Sequence, residues 1–378
     1  MTPRLPLLLS GLLACLAAVA NADDSAHLLR IDHFVPVTST APAMAGQTAQ
    51  LYVREVVLPG PALRTRSATG KVLLFVHGAG TPAEVAFDTP IPGYSWMAFL
   101  AEAGFDVFSV DLTGYGRSSR PTAMNNPCNM GLAAQAPFVP ALVPAPCPPD
   151  HNQALTTIES DWHDIDAVVD HLRALRRVDR VSLLAWSQGG PRTGGYAARH
   201  AAKVDKLVVL APAYSRNTPE TAPKPLATTT APMTVQSQRD FQANWDRQVG
   251  CADQYAPAAA AQIWTDLVGS DPVGATWGDG VRRAPAVPTW GFGPATVATL
   301  KVPFLMVVGS HDKQVLPERV RELYADTGST QKLLVELACS SHNAMWERDR
   351  QLLFQASLDW LRDSNVNGRQ SGSLMLAN

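Results

Sequence analysis

The residues with the most chemical potential in this chain stand where short apolar runs end. Val181-Ser182-Leu183-Leu184-Ala185 leads straight into Trp186-Ser187-Gln188-Gly189-Gly190. A strand that turns at once into a helix needs very small residues two before and two after the turning position, and Ala185 and Gly189 meet that need. The pattern reads as a nucleophile elbow, with the Ser187 hydroxyl held at the mouth of a sheet. Such a hydroxyl attacks a carbonyl when an imidazole takes its proton and a carboxylate orients the imidazole. Three further runs end in residues with those side chains. Val72 to Val76 is followed by His77-Gly78-Ala79-Gly80, Phe304 to Val308 by Gly309-Ser310-His311-Asp312, and Leu333 to Leu337 by Ala338-Cys339-Ser340-Ser341-His342.

The elements that must position these residues follow from the same runs. Short, β-branched stretches at Ile31 to Val37, Gln50 to Leu58, Val72 to Val76, Val107 to Val110, Val181 to Ala185, Leu207 to Leu210, Phe304 to Val308 and Leu333 to Leu337 predict eight strands. Segments of helical period separate them at Trp96 to Ala103, Ile158 to Leu175, Arg192 to His200, Pro317 to Tyr324 and Arg350 to Arg362. This alternation predicts an α/β fold, a mostly parallel sheet covered by helices on both faces. Two stretches break the rhythm. Residues of about 121–155 are rich in Pro, Ala and Asn and read as an irregular insert. Residues 213–300 hold helical segments at Gln236 to Val249 and Pro257 to Val268, then a Gly/Pro/Trp-rich stretch, and read as a cap. The core is thus split into residues 23–212 and 301–363, and residues 364–378 are expected to be a flexible tail.

The strand-end motifs together resemble the α/β-hydrolase family. Its elbow is Gly-x-Ser-x-Gly, here with Ala185 in the first Gly position, the mildest departure available and one that some bacterial lipases of the family share. The resemblance implies an α/β-hydrolase fold of eight mostly parallel strands with a helical cap. It makes Ser187 the nucleophile, Asp312 the acid of the Gly-x-x-Asp turn after the seventh strand, and His342 the base after the last strand. The chain order Ser, acid, His matches the family's. Ser341 replaces the Gly that usually precedes that histidine, and Glu220, after the sixth strand, is the alternative acid. By the same resemblance the His-Gly turn gives half of an oxyanion hole, with the amides of Ala79 and Gln188 as donors and Gly80 as an alternative to Ala79. His77 is expected to brace that loop. Asp111-Leu112-Thr113-Gly114-Tyr115-Gly116-Arg117-Ser118 is similar to the family's loop after the fourth strand and reads as structural.

A serine rather than an aspartate at the elbow argues against haloalkane and epoxide hydrolysis. The resemblance then implies a carboxylic ester hydrolase acting on a small molecule through an acyl-enzyme, with no cofactor and no metal. Lactonase, amidase and peptidase chemistry share the machinery, and a noncatalytic binding protein or a lyase such as a hydroxynitrile lyase belongs to a different class. The acids Glu159, Asp161, Asp164 and Asp166 with His163 suggest a metal cluster, yet Ile158, Trp162, Ile165, Val169 and Leu172 fall on one helical face, which puts the acids on the solvated side. Among the aromatics Trp245, Trp264, Trp277, Trp290 and Phe292 of the cap, one or two are expected to face substrate, with Trp186 and Trp96 as further substrate-binding candidates.

The chain starts with a short basic stretch, an apolar run from Leu5 to Ala20 and Ala20-Asn21-Ala22, which reads as a signal peptide over residues 1–22 and a secreted or periplasmic location. An alternative is a lipoprotein anchored through Cys15. No later stretch approaches the roughly 20 apolar residues of a membrane span. Beyond Cys15 there remain Cys128, Cys147, Cys251 and Cys339. An even number in an exported chain favours disulfides, Cys128 with Cys147 as the local pair and Cys251 with Cys339, unless the latter two are separate buried thiols. With 31 Lys and Arg against 33 Asp and Glu, the net charge of -2 offers no basic field for nucleic acid, and a neutral or mildly charged substrate fits better.

Overall fold

The computed structural model describes residues 28–60, 70–278 and 281–378. The expected signal segment 1–22 and Cys15 lie outside the described residues. Nine strands form the main sheet: β1 (Leu29–Thr38), β2 (Thr48–Val57), β3 (Val72–Val76), β4 (Asp106–Val110), β5 (Val181–Trp186), β6 (Val204–Leu210), β7 (Phe304–Gly309), β8 (Lys332–Leu337) and β9 (Gly372–Leu376). Their order is β1-β2-β4-β3-β5-β6-β7-β8-β9. β2 pairs antiparallel with β1 and β4, and every other pairing is parallel. Every residue of β3, β4, β5 and β7 is buried. Their unbroken apolar sequences follow from that, since a parallel sheet covered on both faces offers no solvated side.

The longer helices are α1 (Trp96–Glu102), α2 (Ile158–Arg176), α3 (Gly189–Arg199), α4 (Gln238–Asp246), α5 (Pro257–Gly269), α6 (Pro317–Asp326) and α7 (Arg350–Asp363). α2 packs on α3, and α1 on α7. α2 starts at a capping box of Thr157 with Ser160 and ends at Arg177 in the left-handed region (φ 53°), so both ends satisfy backbone groups that a helix leaves free. Its stripe Ile158, Trp162, Ile165, Val169 and Leu172 is buried as expected.

Two expectations need correction. The tail 364–378, expected to be flexible, carries the ninth strand, paired with β8 from Leu333 opposite Gly372 to Leu337 opposite Leu376. The acids of α2 are not all solvated: Asp161 and Asp164 are buried. They flank the apolar stripe, and Asp161 meets Arg192 of α3 while Asp164 accepts the Thr113 N–H at 2.9 Å. The region 121–155 includes short helical turns, one of them at Leu132–Gln135. Its Cys128 and Cys147 lie at disulfide distance, 5.3 Å between Cα atoms, and Cys251 and Cys339 do so at 5.9 Å. Among the described residues no helix is long and apolar enough to cross a membrane.

Candidate active site

Ser187 stands between β5 and α3 with φ +58°, a left-handed backbone that costs a serine free energy and survives only where its surroundings fix it. Three bonds fix it. The Ser187 N–H donates to the Leu210 carbonyl, and the Ser187 carbonyl accepts the N–H groups of Gly190 and Ala213, each at 2.9 Å. The tightness of the turn explains the sequence around it. A Cβ on Gly189 would lie 2.7 Å from the Val76 carbonyl oxygen and 2.8 Å from Ala185 Cβ, and one on Gly78 would lie 2.9 Å from Ser187 Cβ. Ala185 is tolerated because the residue facing its methyl is Gly189.

The turn after β3 is held from behind. Arg192, fully buried in the first turns of α3, pairs with Asp161 at 2.7 Å. Its Nη1 donates to the carbonyl oxygens of His77 at 3.0 Å and Gly78 at 2.9 Å. In a trans peptide the N–H points opposite to the carbonyl. Anchoring the Gly78 carbonyl on Arg192 therefore turns the Ala79 N–H to the other side, where Gly78 meets Ser187. Neither this N–H nor that of Gln188, which opens α3, is bonded within the described residues. His77 accepts the Leu112 N–H at Nε2, 3.1 Å, so its Nδ1 carries the proton and donates to the Gly78 carbonyl at 2.7 Å. Burial, and then the Arg192 charge, hold its pKa well below 6.5. It is a neutral brace of the loop.

His342 and Asp312 meet directly. Nδ1 of His342 lies 2.8 Å from Asp312 Oδ2, and the other carboxylate oxygen accepts the N–H groups of Gln314 and Val315 at 2.8 Å each. Both side chains are buried. The bond to Nδ1 fixes the ring's tautomer, leaving Nε2 as the free lone pair, and Nε2 has no hydrogen-bond partner among the described residues. The Trp186 indole N–H donates to the His342 carbonyl at 2.8 Å, which brings the His342 loop against the residue beside Ser187. No hydrogen bond joins the Ser187 hydroxyl to His342 in this structure. Catalytic hydrogen bonds are often long or poorly aligned without substrate and tighten when it binds.

Other sequence candidates fall elsewhere. Glu220 caps the helical turn Pro294–Val297, accepting Ala295 N–H at 2.8 Å and the Thr296 hydroxyl at 2.6 Å; it is engaged there and not at His342. His311 lies beside Cys251, its Nε2 3.5 Å from the sulfur. Ser118 accepts the Tyr52 N–H at 2.7 Å and serves the loop around Asp111. Trp96, expected to touch substrate, is fully buried among Phe75, Phe87 and Phe354, and Trp186 is buried against Trp346 and His342. Trp245 of α4, Trp264 of α5, Trp277, Trp290 and Phe292 are buried too, Trp245 against Trp346. A cavity of about 1040 Å³ lies away from Ser187, between α1, α5 and α7, with Phe99, Asp266 and Phe354 on its walls.

Three polar residues escaped the sequence reading. Arg192 is one. Glu347 is the second, a buried carboxylate that accepts the Ser341 N–H at 2.7 Å, the Ser341 hydroxyl, the Trp245 indole N–H at 2.8 Å and the Gln254 amide at 3.1 Å. It ties Trp245 of α4 and Gln254 to the residue before His342, and burial raises its pKa. The Ser341 substitution was the available signal, since a hydroxyl in place of Gly needs a partner. The third is Arg282, over Gly80 and bonded to Thr81 at 3.1 Å.

The family model described as alpha/beta hydrolase family matches residues 73–356. Similar solved structures include a serine hydrolase involved in carbazole degradation, at 16% identity over 88% of this chain and 99% of that one, TM-score 0.50. A thermophilic esterase from Thermogutta terrifontis is 16% identical over 87% and 98%, TM-score 0.51. An enol-lactonase from Burkholderia xenovorans is 16% identical over 83% and 97%, TM-score 0.50.

Proposed function

This chain belongs to the alpha/beta hydrolase family, and from that premise we propose that it is a serine hydrolase that cleaves carboxylic esters of small molecules through an acyl-enzyme. The observation that carries the reading is the His342 imidazole, bonded through Nδ1 to a buried, doubly anchored Asp312 while its Nε2 stays free, in a loop bonded to the neighbour of a strained Ser187. In the proposed reaction the Ser187 hydroxyl attacks the carbonyl carbon as His342 Nε2 takes its proton. Asp312 stabilises the imidazolium without taking the proton. The Ala79 and Gln188 N–H groups donate to the oxygen on which negative charge develops, a contribution of about 10²- to 10³-fold in rate per donor. The imidazolium returns its proton to the departing alcohol, and a water molecule, activated by the same base, releases the acid and frees the serine.

A serine hydrolase and an esterase share the fold at 16% identity, so the fold can house the proposed reaction. Export is proposed with it: two cysteine pairs at disulfide distance suit an oxidising compartment. A fluorophosphonate probe tests the reaction. Labelling of the folded wild type that disappears in Ser187→Ala is expected; absence of labelling would favour a noncatalytic binding protein. Alkylation of the denatured, unreduced protein with iodoacetamide tests the pairing, and four alkylated thiols in Cys128, Cys147, Cys251 and Cys339 would remove that argument for export.

A further inference from the structure

Buried guanidinium groups in this fold come with carboxylates: Arg192 with Asp161, Arg283 with Asp271, and Arg176 with Glu55 and Asp106. Arg282 does not. One of its five N–H donors is engaged at Thr81 Oγ1, and no carboxylate among the described residues pairs with it. Withdrawing a cation from water without a partner is costly, and desolvation pushes the Arg282 pKa down to about 10. Protein atoms crowd the guanidinium, while the residue as a whole is partly exposed.

Two glycines place the guanidinium relative to Ser187. A Cβ on Gly78 would lie 2.9 Å from Ser187 Cβ, and one on Gly80 would lie 2.6 Å from Arg282 Nη2. The glycines are two Cα steps apart, at most about 7.6 Å, with the Ala79 amide between them. Hydroxyl, amide and guanidinium therefore border the same short turn.

We propose that Arg282 is a specificity residue that binds a carboxylate carried by the substrate a few bonds from the scissile carbonyl, so that the preferred substrates are anionic half-esters; this rests on the hydrolase reading of Ser187. The planar fork of a guanidinium matches a carboxylate through two parallel hydrogen bonds. A neutral ester seated at Ser187 leaves the cation unpaired and covers it from water. Discrimination comes from that penalty as much as from the gain with the right substrate. Since the chain's net charge of -2 attracts no anion from a distance, recognition depends on this local contact.

The test compares monomethyl succinate, glutarate and adipate with the matching methyl alkanoates, in wild type, Arg282→Gln and Arg282→Lys. Wild type is expected to favour a half-ester by about 10-fold or more in kcat/KM. The ratio of half-ester to neutral ester should fall by roughly 10- to 100-fold in Arg282→Gln and recover in part in Arg282→Lys. A wild type that a fluorophosphonate labels at Ser187 but that shows no preference for half-esters overturns the inference and leaves the hydrolase reading standing. So does a folded Arg282→Gln whose ratio is unchanged. A folded wild type that is neither labelled nor active on any ester ends the hydrolase reading, and this inference with it. If Arg282→Gln fails to fold, the wild-type preference and Arg282→Lys still decide.

Discussion

The indole N–H of Trp186 donates to the carbonyl oxygen of His342 at 2.8 Å, with the two rings 5.3 Å apart. Two loops far apart in sequence are thereby joined one residue away from Ser187, so the position of the imidazole depends on a side chain that sits on the elbow. Trp186→Phe keeps much of the ring packing but leaves a buried carbonyl without its donor. The expected loss is about 1–3 kcal/mol of stability and roughly 10-fold in kcat, with KM little changed. Urea unfolding and steady-state kinetics read both, and an unchanged kcat would deny the indole a positioning role.

Asp312 receives two backbone N–H groups besides the imidazole. In Asp312→Asn the side-chain oxygen can keep the backbone bonds, while the amide favours the wrong tautomer of His342. Ester turnover should fall by about 10³- to 10⁴-fold with the fold intact. Glu220→Gln, which changes only the cap of the turn Pro294–Val297, should turn over ester at nearly the wild-type rate. The reverse pattern would move the acid to Glu220.

Ser187, Asp312 and His342 stand out as candidates in the sequence because each follows a local pattern, an apolar run that stops at a turn. Those patterns report backbone geometry, which nearby residues determine. The side chains the sequence concealed depend on distant partners. Asp161 and Asp164 flank the apolar stripe of α2, where periodicity alone sends them to solvent; burial becomes affordable only through Arg192 and the Thr113 N–H. Arg282 lies in an irregular stretch without a period from which its direction could be read. β9 is a short edge strand whose residues alternate between partly buried and exposed, and Gly372-Ser373-Leu374-Met375-Leu376 after a polar run carries too little apolar character to announce it.

Arg192 and Asp161 both stabilise the fold and, through the His77 and Gly78 carbonyls, orient the Ala79 N–H. These effects can be separated. Arg192→Met alone leaves Asp161 ionised and unpaired in the core, which should cost about 3–5 kcal/mol. Adding Asp161→Leu removes that charge, and stability should return most of the way, because a buried pair replaced by apolar side chains is often neutral overall. Turnover should stay down by roughly 10- to 100-fold, since no donor holds the Gly78 carbonyl and the amide facing Ser187 loses its fixed direction. If kcat recovers with stability in the double variant, Arg192 has no hand in positioning that amide.

The last prediction concerns pH. Asp164 is buried, and desolvation, its largest influence, raises its pKa from 3.8 to about 7; Asp111 is raised to about 6 for the same reason. Between pH 4 and 7 the unfolded chain has given up these protons while the folded protein still holds part of them. Stability therefore declines as pH rises through this window and levels off above the folded pKa. Asp164→Asn keeps an acceptor for the Thr113 N–H but has no proton to lose. Its stability relative to wild type should grow from pH 4 to 7 by an amount on the order of a few kcal/mol. Guanidinium unfolding of both proteins at pH 4, 5.5 and 7 gives the difference at each point, and a difference that stays flat across the series would mean that Asp164 is already ionised in the fold at pH 4.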